Sequence, residues 1–249
     1  MAATDLSRNA IYQVSQLSQS DLSHQIAAAS VQLGVAVGTE ALPGLAAYAT
    51  SLWAWNAKLN LTRHTDVEKF VSRDVADAVA IASYLDGSRS SEDPFGGEHI
   101  LDVGTGGGVP GVLLAILRPQ LRVELAESVA KRARAVRDII EEIGLSIPVH
   151  EGPAQRFVAE SFANGDRFDT LVVRAVAPLL KLLQWFEPLC DAYGRILIVK
   201  GPRWETEKGE ARHHGFVKKV TVRRVASWPI RGSDNESVLL EVRKRPLSG

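Results

Sequence analysis

The densest chemical signal in the chain is the run Ile100-Leu101-Asp102-Val103-Gly104-Thr105-Gly106-Gly107-Gly108-Val109-Pro110-Gly111. A hydrophobic strand leads into a glycine-rich turn and then a helix. Glycines at 104, 106 and 108 permit positive φ and let a ligand lie against bare backbone, where a Cβ would collide. Their spacing is G-x-G-x-G, one residue tighter than the G-x-G-x-x-G of dinucleotide sites, and an acid, Asp102, stands two residues before the first. Glu127 ends the strand-like run Arg122–Ala126, where a carboxylate can accept hydrogen bonds from both hydroxyls of a ribose. Glu151-Gly152-Pro153-Ala154-Gln155 follows a third strand-like run, and the backbone at Ala154 and Gln155 is expected to meet the edge of a nucleoside base.

Two cations end later strands. Arg174 closes Phe168–Val173, and Lys200-Gly201-Pro202-Arg203 closes Arg195–Val199. Open α/β sheets bind ligands beyond the carboxyl ends of their strands, so Arg174 is expected to clamp a carboxylate or grip a phosphate, with Lys200 in a matching position. Lys131, Arg132, Arg134 and Arg137 form a basic run, and Arg203, Lys218, Lys219, Arg223 and Arg224 a second set. Such runs usually mark a solvated face; contact with RNA phosphates is the functional alternative. The tyrosines at 12, 48, 84 and 193 each lack a lysine four residues on, which argues against a nicotinamide oxidoreductase. His213-His214 stands without His-x-x-x-His or Cys-x-x-Cys spacing, so no metal site is expected.

The elements that position these residues divide in two. Up to about residue 97 the pattern is helical: a segment capped by Asp21 and ended by Gly34, a second from Thr39 to Leu59 with Pro43 in its first turn, and a third opened by a capping box at Thr65-Asp66-Val67-Glu68 and running toward Leu85. A turn-rich stretch, Asp86 to Glu98, separates this from short β-type runs at His99–Val103, Arg122–Ala126, Pro148–Glu151, Phe168–Val173 and Arg195–Val199. Helices are expected at Pro110–Leu117, Ala130–Ile143 and Leu179–Leu189. After Lys200 the crossover helices are expected to stop, and Lys218–Ala226 and Val238–Arg243 to form an antiparallel edge pair. The expected architecture is a Rossmann-like α/β fold, mostly parallel, comprising residues 98–249 as the binding domain with a helical segment at residues 1–97.

The chain has 249 residues, 45% of them hydrophobic and 23% charged, the composition of a globular protein. Its formal net charge is zero, yet residues 1–100 hold 6 basic against 11 acidic side chains, and residues 101–249 hold 23 against 18. A net −5 half is joined to a net +5 half, so a local grip on an anion is compatible with overall neutrality. One cysteine, Cys190, suits a reducing compartment. No stretch resembles a signal peptide or a membrane span, and a cytoplasmic monomer is expected.

The glycine spacing with Asp102 resembles the first motif of class I S-adenosyl-L-methionine-dependent methyltransferases. Taken with Trp55-Asn56, Leu59-Asn60-Leu61-Thr62, Arg73 and Asp77, Ser128 with Lys131-Arg132, Asp169, Arg174-Ala175 and Lys200-Gly201, the chain resembles the ribosomal RNA small subunit methyltransferase G family, also called GidB. That resemblance implies methylation of N7 of a guanine in the 530 loop of 16S rRNA. It places cofactor contacts on Gly104, Val109, Glu127, Ser128, Ala154, Gln155 and Arg174, to which the glycine motif itself adds Asp102, Gly106 and Gly108. Arg174 and Lys200 would position reactants without acting as bases, and Lys131, Arg132 and Arg203 would meet RNA. Two departures stand out: Asp74 lies where the family usually has His, removing a cationic or hydrogen-bonding group, and Pro153-Ala154-Gln155 replaces Arg-Ala-Glu. A methyltransferase acting on another RNA, a protein or a small molecule, or a non-catalytic cofactor-binding RNA-binding protein, would share the cofactor turn.

Overall fold

The computed structural model describes residues 18–88 and 97–245; most of the turn-rich stretch expected at Asp86 to Glu98 lies outside them. Seven strands form one sheet in the order β3-β2-β1-β4-β5-β7-β6. They are β1 His99–Val103, β2 Arg122–Glu127, β3 Val149–Glu151, β4 Phe168–Arg174, β5 Tyr193–Lys200, β6 Val220–Pro229 and β7 Glu236–Lys244. The first five are parallel; β7 runs antiparallel between β5 and β6. Strand order reverses between β1 and β4, which opens a crevice at their carboxyl ends. Gly104 and Arg174 sit there.

The helices are α1 Gln19–Leu33, α2 Leu42–Leu59, α3 Ala76–Ser88, α4 Gly111–Leu117, α5 Ala130–Glu142, α6 Ala154–Ala163, α7 Leu179–Phe186 and α8 Trp204–His213. On one face, Leu45, Leu52 and Phe70 from the N-terminal helices share a core with Val112, Leu125 and Val136 of the α/β unit. Beside it Ile81 and Leu85 pack on Ile100, Val172 and Leu239. On the opposite face α6 and α7 bury Val158, Leu179 and Phe186 against Leu171, Val173 and Ile198. The parallel strands are covered on both sides, as their continuous apolar sequences require.

Several local expectations are corrected. Ser18, not Asp21, caps α1: its hydroxyl oxygen accepts the Asp21 amide at 3.1 Å and its O–H donates to the Asp21 carboxylate at 2.7 Å. Asp66, not Thr65, caps the third helical segment by accepting from the Lys69 amide at 2.7 Å, because the helix opens at Val67 and the extended backbone of Asp66 puts that residue at the cap position. That segment enters as Val67–Lys69, widens into a π-turn over Phe70–Val75 and resumes as α3. Crossover helices do not stop at Lys200, since α8 follows β5, and α6 connects β3 to β4. Among the described residues, no helix is long and apolar enough to cross a membrane.

Candidate functional site

The glycine turn after β1 is braced from two sides. Asp102, 1% exposed, accepts through Oδ2 from the Thr105 hydroxyl at 2.6 Å and the Gly111 amide at 2.8 Å. It thereby ties the strand end to the first residue of α4. Burial pushes its carboxyl up to about 6 against the pull of those two hydrogen bonds; Oδ1 is buried with no partner. From the other side, the Tyr48 hydroxyl on α2 donates to the Gly107 carbonyl at 2.9 Å. A Cβ on Gly107 would come within 2.8 Å of Leu52, and one on Gly111 within 2.2 Å of Leu125. Gly106 differs. Its φ is +60° and a Cβ there would meet nothing within 4 Å, so the bare backbone faces open space.

Two cavities meet at Gly104. A cleft of about 450 Å³ is lined by Leu61, Arg63, His64, Asp74, Gly104–Gly107, Val109, Arg132 and Arg174. A smaller one of about 200 Å³ is lined by Val103, Gly104, Ala126, Ser128, Gly152–Gln155, Val176 and Trp185. Ser128, Ala154 and Gln155 therefore gather at one end, and Gly104, Gly106, Val109 and Arg174 at the other. Gly108 turns into the support: a Cβ there would meet Val112 at 2.8 Å and the Tyr48 hydroxyl at 3.3 Å. Glu127, 3% exposed, already accepts from the Gly106 amide at 2.9 Å and the Val129 amide at 2.8 Å, one on each oxygen. Each carboxylate oxygen retains a further lone pair for a hydroxyl.

The two candidate cations are both held by the chain itself. Arg174 Nη1 lies 2.7 Å from Asp74 Oδ1, and its Nε lies 2.8 Å from Asp77 Oδ2. Asp74 Oδ1 also meets His64 Nδ1 at 2.9 Å, and Asp77 Oδ1 accepts from Trp228 Nε1 at 3.0 Å. Burial pushes the Asp77 carboxyl up to about 6, although Arg174 draws it down. Burial works against the charge on Arg174, but Asp74 and Asp77 outweigh it and hold the guanidinium above its ordinary range. Lys200 lines neither cavity: its Nζ donates to the Ala177 carbonyl at 2.7 Å and pairs with Glu207 Oε2 at 2.7 Å. Glu207 also accepts from the Leu179 amide at 2.7 Å, so Lys200 joins β5 to α8 and the start of α7.

The basic set separates similarly. Lys131 and Arg132 are exposed in the first turn of α5 and Arg203 is exposed before α8, whereas Arg137 of the same run pairs with Glu151 at 3.8 Å. Further along, Lys219 pairs with Glu187, Arg223 with Glu241 and Arg224 with Glu236. Reasoning on the sequence missed Tyr48 and His64 as site residues. Trp53 Nε1 donates to the His64 carbonyl at 2.7 Å, and Asn56 Oδ1 accepts from the Thr62 amide at 2.8 Å. Asn56 and Thr62 of the quoted pieces, together with Trp53 two residues before Trp55, thus fix the loop that delivers His64, a role that only the folded chain exposes.

The family GidB, described as rRNA small subunit methyltransferase G, matches residues 41–233. The ribosomal RNA small subunit methyltransferase G of Rhodopirellula baltica is 44% identical over 183 residues, which cover 74% of this chain and 73% of that protein. The protein of the same name from Roseiflexus sp. is 35% identical over 180 residues, covering 72% and 73% of the two chains. Among solved structures, an O-methyltransferase from Bacillus cereus superposes with a TM-score of 0.53 at 18% identity, over 80% of this chain and 91% of that one.

Proposed function

The chain belongs to the rRNA small subunit methyltransferase G family, and from that premise we propose that it transfers a methyl group from S-adenosyl-L-methionine to N7 of a guanine in the 530 loop of 16S rRNA. The observation that carries this reading is the pair of cavities joined at Gly104. The smaller suits an adenosine between Ser128 and Ala154-Gln155. The larger suits a methionine against Gly104 and Gly106 and leaves room for an acceptor base. Gly106 supports the fit most directly, because its bare backbone faces space that a ligand can fill.

Bound there, the cofactor would supply an electrophilic methyl on a sulfonium. Guanine N7 presents a lone pair and needs no deprotonation, so the chain's task is to bring two reactants into line. Asp102 and Tyr48 would hold the glycine turn from either side, Glu127 would meet the ribose, and Val109 would pack along the methionine. Arg174 would order the acceptor end through its two carboxylates, and Lys200 would fix the loop after β5. Neither would serve as a base. The methyl transfer leaves positive charge on the purine; pairing Arg174 with Asp74 and Asp77 keeps an uncompensated cation from opposing it. Lys131, Arg132 and Arg203 would contact phosphates. We place the protein in the cytoplasm as a monomer needing no metal, with the helices before residue 98 acting as a buttress to the methyltransferase domain.

The test pairs two measurements on purified protein: calorimetric titration with S-adenosyl-L-methionine, and transfer of labelled methyl to small ribosomal subunits lacking the modification. Cofactor binding with incorporation into 16S rRNA is expected. Binding without incorporation into any ribosomal RNA would move the acceptor to another class of molecule.

A further inference from the structure

Asp74 is 2% exposed and lines the larger cleft, yet only one of its oxygens is used. Oδ1 meets both Arg174 Nη1 at 2.7 Å and His64 Nδ1 at 2.9 Å. Oδ2 is buried with no hydrogen-bond partner in the chain. A buried carboxylate oxygen left unsatisfied is costly, and the cost disappears when a ligand donates to it. The two groups on Oδ1 also fix which oxygen remains.

We propose that Asp74 reads the acceptor base, its free oxygen accepting from the adjacent N1–H and N2–H donors of a guanine whose N7 faces the methyl donor. This rests on the reading of the protein as a guanine-N7 methyltransferase. Among the bases, guanine alone combines a nucleophilic N7 with two neighbouring donors on its opposite edge. Adenine also has an N7, but it presents an acceptor at N1, which would face a carboxylate oxygen with no proton between them. The contact strengthens during the reaction. As N7 takes the methyl group, the sulfonium loses its charge, the purine gains it, and N1–H becomes a better donor. No proton has to leave the base. The carboxylate therefore acts on the transition state as well as on recognition.

Asp74→Asn is a sharp test because Arg174 and His64 hold the position of the acceptor oxygen. The amide would turn its carbonyl toward them and present its NH2 to the base, setting donor against donor. The purified wild type and variant are compared on small subunits reconstituted with 16S rRNA carrying either guanine or inosine at the acceptor position. Inosine keeps N7 and N1–H but lacks the exocyclic amine. Affinity for S-adenosyl-L-homocysteine is measured on the same preparations, and Asp74→Ala serves as a second variant.

The wild type is expected to prefer guanine over inosine by about 10-fold or more. Asp74→Asn is expected to lose about 10- to 100-fold on guanine, chiefly in kcat, and to lose the preference, with cofactor-product affinity retained. An unchanged guanine-to-inosine ratio in both variants would overturn the proposal. So would a fall in S-adenosyl-L-homocysteine affinity with that ratio intact, which would assign Oδ2 to the cofactor ammonium. If wild-type protein binds cofactor but labels neither RNA, the substrate reading falls and this proposal with it. Labelling by both proteins at one common ratio removes only the role of Asp74.

Discussion

Asp74 Oδ1 and Arg174 Nη1 lie 2.7 Å apart, joining a π-turn of the N-terminal helices to the carboxyl end of β4. The residues are a hundred positions apart in sequence; Asp74 is almost wholly withdrawn from water, and Arg174 is half-buried at the cleft. Asp77 completes it from one helical turn further on. The arrangement makes Arg174 a strut as well as a site residue.

Removing the strut should cost the fold. Arg174→Ala leaves two buried carboxylates without their shared cation, and breaking such a pair destabilises by about 3–5 kcal/mol. Urea unfolding monitored by tryptophan fluorescence should show that loss, with Arg174→Lys intermediate because an ammonium cannot keep both fork contacts. A change under about 1 kcal/mol would mean that the cluster behaves like a solvated surface pair.

The share of stability contributed by Asp102 and Asp77 should fall as pH rises from about 4 to about 6. Asp102 and Asp77 ionise near 3.8 when unfolded and are pushed up to about 6 in the fold, mainly by burial. Between these values the native state holds more protons than the unfolded state, so the slope of unfolding free energy against pH is negative. Their contribution is most favourable below about pH 4 and is lost as pH passes about 6. Comparing urea midpoints of wild type and Asp102→Asn from pH 4 to 7 should show a shallower decline in the variant. Parallel curves would show that Asp102 does not contribute to this slope.

The glycines of the turn should divide into ligand-facing and structural. Gly106→Ala meets no atom of the chain and should cost only the strain of a left-handed alanine, about 1–2 kcal/mol. Its methyl group would project into the space proposed for the cofactor, and S-adenosyl-L-methionine affinity should drop at least about 10-fold. Gly111→Ala would strike Leu125 at 2.2 Å and Asp102 at 2.8 Å, so its main effect should be on folding. Thermal melts beside calorimetric titrations separate the two.

Arg132 is exposed at the cleft, and a phosphate contact there would be electrostatic. Arg132→Ala should weaken RNA binding across sequences and flatten the dependence of log affinity on log salt by about one phosphate contact, with cofactor affinity unchanged. An unaltered slope would return Arg132 to the solvated face of α5.

The parts of the fold that were legible in the sequence are those with local causes. Strand β1 and its glycine turn announce themselves through an apolar run and residues that tolerate positive φ. Helix α5 shows in its alternating buried and basic positions. Of the missed helices, α8 buries only Ala211, so no apolar stripe marks it; α6 does carry Ala154, Phe157 and Val158 on one face, a stripe that its ten residues make short and easily passed over. At Thr65-Asp66 two residues could each cap, and only the backbone at Asp66 decides between them. The glycine turn of the candidate site was legible for the same local reason. The opposite side of the cleft depends on His64, Asp74, Asp77 and Arg174 meeting from a loop, the third helical segment and β4. Asp74, read along the chain as the loss of a cation, is in the fold the counter-ion of one.

Methyl transfer to guanine N7 leaves a base whose glycosidic bond is labile, and that lability reports the reaction directly. Undermodified small subunits are incubated with the purified protein and S-adenosyl-L-methionine; the 16S rRNA is then treated with borohydride and aniline, and strand breaks are mapped by primer extension. A single new break at one guanine of the 530 loop, dependent on both protein and cofactor, is the predicted result. Methyl incorporation into 16S rRNA with no such break would place the modification on another atom and contradict transfer to N7.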